Sequence, residues 1–115
     1  MGQGPGPCCG VGIMSVYLMA TLEIKPGEMA RFSKVLGEMV PIVESVGWRL
    51  ATAFTLRTGP LNTVVDLWEL PDFNAMNVGM GAIAANKRFP HIAAELQACV
   101  IRETLCFADK IDYAP

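Results

Sequence analysis

The chain has 115 residues, 52% of them apolar and 17% charged, and a mean hydropathy of +0.38. That length suits one domain rather than two, and the apolar content excludes disorder along the whole chain. A formal net charge of -2 excludes a dense nucleic-acid interface, which needs a basic face.

From Met1 to Leu22 no residue is charged. The positive segment that opens a signal peptide is missing, and Gly2, Gly4, Pro5, Gly6, Pro7 and Gly10 break the start. The apolar run Val11–Leu22 is too short to span a bilayer. Residues 1–13 are therefore expected to form a disordered leader, 14–110 one domain and 111–115 a tail, with no membrane partner. The cysteines are Cys8, Cys9, Cys99 and Cys106. No CxxC pair occurs and the one histidine is distant in sequence from each of them, so a metal site is not expected. Reduced thiols in a cytoplasmic protein without a cofactor are the simplest expectation.

Ser15–Ile24 is strand-like and unbroken. Lys25-Pro26-Gly27 then punctuates the chain, and Pro suits a helix entry. From Glu28 the period changes: Met29, Phe32, Val35, Leu36, Met39, Val40 and Val43 make one apolar helical stripe. Pro41 predicts a kink in that helix, and Gly47 a left-handed cap at its end. Trp48–Leu56 and Asn62–Leu70 flank the turn Thr58-Gly59-Pro60 and read as a hairpin. Asp72 suits the N-cap of the next helix, whose stripe is Phe73, Met76, Met80, Ile83 and Ala84. Gly79 and Gly81 either weaken that helix or permit close packing. Asn86-Lys87-Arg88 breaks it, and Pro90 restarts a short helix with Ile92, Ala93 and Leu96. Cys99–Ala108 reads as the last strand.

The order β-α-β-β-α-β predicts an α+β fold of the ferredoxin-like type, with both helical stretches on one sheet face. The opposite face is not polar. Val16, Leu18, Ala20 and Leu22 share one side of the first strand, and Tyr17, Met19 and Thr21 share the other. A half-solvated sheet would alternate more cleanly. Two protomers packed sheet to sheet, a dimeric α+β barrel, would bury both faces, so a homodimer is expected.

Several of these residues together resemble the NIPSNAP-like family. They are Tyr17, the run Thr21-Leu22-Glu23-Ile24-Lys25-Pro26-Gly27 entering a helix, Pro41-Ile42, Gly47, the turn Gly59-Pro60-Leu61-Asn62, and Leu67-Trp68 followed by Asp72. The resemblance spans roughly Ser15 to Arg102 and implies a dimeric α+β barrel more than it implies a reaction. The chain also departs from the family pattern. Ala20 and Leu22 stand where that pattern has an arginine and an aromatic residue, Asp66 where it has a basic or histidine position, and Met76 and Asn77 near a lost arginine. Positive charge is thereby removed between sheet and helices, so if the family's ligand is anionic, this chain is expected to bind something else.

Asp66 lies mid-strand between Val65 and Leu67. A carboxylate buried there pays a desolvation cost, its pKa rises, and it becomes a candidate general base. The alternative is an ion pair with Arg49 or Arg57 across the hairpin. Trp68 shares a strand face with Asp66 by the period of two and is a candidate pocket wall, or ordinary core. Trp48 packs on the hairpin or at a dimer rim. Tyr17 offers a hydroxyl to orient a ligand, and His91, in the first turn of the short helix, a proton shuttle. Met29, Met39, Met76 and Met80 fall on inward helix faces, where thioethers suit an adaptable apolar cavity or fill a core. The Gly79-x-Gly81 pair fails the dinucleotide fingerprint, and His91 comes too late in the chain for haem chemistry on the second helix. Two functions remain. One is a pocket between sheet and helices for a small apolar or aromatic molecule, with oxygenase, isomerase or cyclase chemistry free of cofactor. The other is a non-catalytic structural or interaction module.

Overall fold

Unbroken β-formers after Ser15 and a helical stripe after Gly27 start the chain as a strand followed by a helix. The computed structural model describes residues 15–115, and the expected leader lies outside them. The elements are β1 (Val16–Ile24), α1 (Met29–Ser45), β2 (Arg49–Thr55), β3 (Thr63–Leu70), α2 (Asn74–Ala84), α3 (Phe89–Cys99) and β4 (Val100–Ala108). The sheet order is β2-β3-β1-β4, and each neighbouring pair is antiparallel. This is the expected ferredoxin-like α+β arrangement, with the second helical stretch divided into α2 and α3 around Asn86-Lys87-Arg88.

The local signals act as their chemistry requires. Gly47 ends α1 at φ +96° and donates its N–H to the Glu44 carbonyl at 3.1 Å. Asp72 Oδ1 accepts the Ala75 N–H at 2.9 Å, satisfying a donor at the start of α2. Pro41 sits inside α1, which continues through it to Ser45. Asn62 takes φ +59° in the β2–β3 turn, a conformation its short polar side chain tolerates.

Cys99, expected to begin the last strand, is instead the last residue of α3. Val100 is already extended, so no loop separates helix from strand. The reason is packing. The Cys99 side chain is buried with Ala20, Leu22, Ile24 and Phe32, and its carbonyl accepts the Lys25 N–H at 2.8 Å. The ladder absorbs the abrupt change with a register shift between Glu23 and Ile24.

All three helices cover one sheet face. Val16, Leu18, Ala20, Leu22 and Ile24 of β1 are buried beneath them, as are Val64, Asp66, Trp68 and Leu70 of β3. The core forms two clusters. One gathers Val16, Leu18, Val43, Trp48, Trp68, Leu70 and Ile83, and the other Ala20, Leu22, Ile24, Phe32, Val64 and Cys99. Asp66 stands where the two meet, paired in register with Ala20. Outside the core, Arg31 ties α1 to α3 through two hydrogen bonds to the Glu95 carboxylate, at 2.8 and 2.9 Å.

Among the described residues no helix covers the other sheet face. There Met19 stands between Leu67 and Cys106, and Phe54 opposite Val65. Met19 and Phe54 are exposed. β4 is exposed along nearly its whole length on both faces. Among the described residues no helix is long and apolar enough to cross a membrane.

Candidate functional site

The period of two along β3 points Asp66, Trp68 and Leu70 at the helices. Asp66 is only 5% exposed. Among the described residues it has no side-chain hydrogen bond or ion pair. Arg49 instead pairs with Glu69 on the open face and holds that carboxyl below the usual carboxylate range. Arg57 lies in the exposed β2–β3 turn. Burial pushes the Asp66 carboxyl up to about 6, and the negative charge of Glu103 adds to the rise.

Asp66 borders a cavity of about 200 Å³ between the sheet and the helices. Trp48, Trp68, Met76 and Met80 wall it, and Glu103 reaches it from β4. The Trp48 and Trp68 rings meet edge to face, with centroids 6.4 Å apart and planes at 69°. Trp48 donates its indole N–H to the Ala75 carbonyl at 3.1 Å, so only its apolar surface is left for the cavity. Gly79 makes this position possible. A Cβ there would stand 2.4 Å from Trp48 Nε1, so the indole lies directly on the α2 backbone. A second cavity, of about 300 Å³, opens between α1 and the β2–β3 hairpin, and Asp66 and Leu36 line this one as well.

The structure thus brings Asp66, Trp48, Trp68, Met76 and Met80 to one space. It separates Tyr17 and His91 from them. Tyr17 points to the open sheet face, with the Lys110 ammonium 5.9 Å from its ring centre. It lines a surface cavity with Glu69 and Asp109. His91 lies on the outer side of α3, exposed, with Nε2 3.5 Å from the Glu38 carboxylate. Met39 lines the inner cavity and Met29 the outer one. Glu103 and Leu36 are among the lining residues that the sequence reading did not assign to a site. Glu103 is opposite Leu22 across β1–β4, a relation that needs the register. Leu36 was visible only as one member of a helical stripe. No cluster of three or more metal-ligating side chains occurs among the described residues.

A family model described as NIPSNAP matches residues 17–107. The chain belongs to the NIPSNAP family. Solved structures of other NIPSNAP proteins share its fold. A NIPSNAP family protein of unknown function from Agrobacterium tumefaciens superposes with a TM-score of 0.80 at 18% identity, covering 90% of this chain and 94% of that one. A NIPSNAP domain protein from Burkholderia xenovorans gives 0.77 at 21% identity, covering 87% and 98%. A putative antibiotic biosynthesis monooxygenase from Caulobacter crescentus gives 0.67 at 16% identity, covering 85% and 91%. At these identities the likeness is one of fold. No curated protein matches the sequence. Within the NIPSNAP fold this chain places one buried carboxyl among the described residues, Asp66, at the junction of its two core clusters.

Proposed function

We propose that this NIPSNAP protein is a homodimer that binds a small apolar or aromatic molecule between sheet and helices, and that Asp66 acts there as a general base. The observation that carries the reading is Asp66 itself: a buried carboxyl without a partner among the described residues, in a cavity walled by two indoles and two thioethers. Nothing in a packed core needs an unpaired carboxyl, which costs free energy there. A carboxyl titrating near 6 is ionised at neutral pH and still basic enough to take a proton from an activated C–H or a phenolic O–H. The proton passes to the Asp66 oxygen, and the electron pair left behind delocalises into the carbonyl or ring as an enolate or phenolate. Returning the proton at another carbon completes an isomerisation, and attack of the enolate on a second carbonyl closes a ring. Dioxygen as co-substrate would give an oxygenase. The fold shared with the putative monooxygenase of Caulobacter crescentus supports that third case by analogy alone.

The dimer is supported by the apolar residues left uncovered on the open face and along β4. Met19, Phe54 and Cys106 are exposed on the open face, and Ile101 is exposed on β4. Native mass spectrometry of protein purified from its own host tests both parts. A dimer carrying a small apolar molecule is expected, and Asp66→Asn should retain the molecule and lose its turnover. A dimer that holds nothing and binds no aromatic probe would leave the non-catalytic module as the reading.

A further inference from the structure

The inner and outer cavities share two residues, Leu36 of α1 and Asp66 of β3. One comes from the helix and the other from the sheet, so the partition between the two spaces runs at this pair. The inner space, at about 200 Å³, lies beneath all three helices. The outer one, at about 300 Å³, lies between α1 and the hairpin, with Ser33 and Thr55 supplying its hydroxyls. Pockets that take drug-sized molecules run from roughly 300 to 1,000 Å³. The inner space falls short of that range and the outer one only reaches its lower edge, whereas the two joined lie within it.

Resting on the reading of Asp66 and its cavity as a ligand site, we propose that the protein takes one elongated ligand that passes through both cavities. Its two apolar lobes lie on either side of the Leu36–Asp66 partition, joined at an oxygen-bearing group that meets the Asp66 carboxyl. The chemistry of the walls argues for this class. Indole and thioether surface inside recognises a flat or flexible apolar lobe. Phe32, Val40 and Leu50 outside recognise a second one. The one carboxyl that both spaces share is Asp66, so the polar centre of the ligand belongs at the partition and not at either end. Leu36 is half-buried and unbranched at Cβ, so a change of rotamer widens the passage without moving α1.

Two probes test this by calorimetric titration at about pH 5, where the protonated Asp66 carboxyl donates to a ligand oxygen, with tryptophan fluorescence as a second readout. 2-Naphthol has one lobe, and 4-hydroxychalcone has two lobes joined through a carbonyl. The chalcone is expected to bind the wild-type protein at least about tenfold more tightly than the naphthol, a difference titration resolves readily. Gly37→Met fills the outer cavity from α1, at a position where an added Cβ meets no atom within 4 Å. It should weaken the chalcone by about tenfold or more and leave the naphthol unchanged. Leu36→Ala, which removes the partition, should tighten the chalcone only. Equal affinities for the two probes, or a Gly37→Met variant that treats them alike, would overturn the elongated ligand and leave the inner site standing. Failure of both probes to bind would overturn both readings.

Discussion

Trp48 lies against Gly79 and meets Trp68 edge to face, so one glycine of α2 sets the position of the wall that the two rings build. The contact joins three elements: the start of the hairpin, the middle of β3 and the middle of α2. Trp48 is also fixed through its N–H to the Ala75 carbonyl, one turn earlier in the same helix. The ring is therefore held on three sides and cannot swing away from a side chain added at Gly79.

That geometry separates two glycines that helix propensity alone would treat alike. A Cβ at Gly79 would approach Trp48 Nε1, Cε2 and Cζ2 at 2.4, 2.7 and 2.9 Å, whereas one at Gly81 meets nothing within 4 Å. Gly81→Ala should stabilise the protein by up to about 1 kcal/mol, the ordinary gain of alanine over glycine in a helix. Gly79→Ala should destabilise it by roughly 1–3 kcal/mol, because overpacking outweighs that gain. Thermal melts of the two single variants provide the comparison. Equal melting temperatures would contradict the close approach of Trp48 to α2.

The proposed dimer makes its own prediction on the face without helices. Met19 stands at the centre of that face, paired with Leu67 on one side and Cys106 on the other. A charge placed there would be buried unpaired between two sheets, at a cost of several kcal/mol. The wild-type protein should sediment as a dimer at micromolar concentration, and Met19→Arg as a folded monomer. A wild-type monomer under those conditions would refute the sheet-to-sheet assembly.

The fold was largely legible in the sequence because its signals are local. Period two marks β1 and β3, the stripe from Met29 to Val43 marks α1, and Gly47, Asp72 and Pro90 mark helix ends. Where local and tertiary signals conflict, the tertiary one prevails, as at Cys99, which β propensity would place in a strand and the core draws into α3. The site was legible only in part. Asp66 stood out because a carboxyl in a central strand is costly, and Trp68 followed from the period of two. Tyr17 lies two positions from Met19 on that same period, so it shares the open face. Its separation from Asp66 follows from the register Ala20↔Asp66, which no local pattern encodes. His91 sits in the first turn of a short helix, where the sequence pattern does not say which side faces the core. Glu103 and Leu36 join the site only through strand pairing and helix docking.

The sharpest prediction concerns the charge on Asp66. Burial raises its pKa from an unfolded value near 3.8 to about 6. Between those two values the folded protein holds a proton that the unfolded chain has released, so stability falls as pH rises across that window. Below about pH 4 both states are protonated and the group contributes its full neutral-form stability. Above about pH 6 both states are ionised and that contribution has been lost. A shift of this size corresponds to a few kcal/mol, at about 1.4 kcal/mol per unit. Asp66→Asn keeps the shape and carries no charge at any pH. It should therefore stabilise the protein near pH 7.5, by up to about 2 kcal/mol once the cost of burying the amide is subtracted. Its stability should be close to wild type at pH 3.5, and the fall between pH 4 and 6 should disappear. Denaturant unfolding of both proteins at four or five pH values across that range reads the difference by sign. A variant less stable than wild type at neutral pH would mean that Asp66 is paired in solution, and the assignment of a general base there would fall with it.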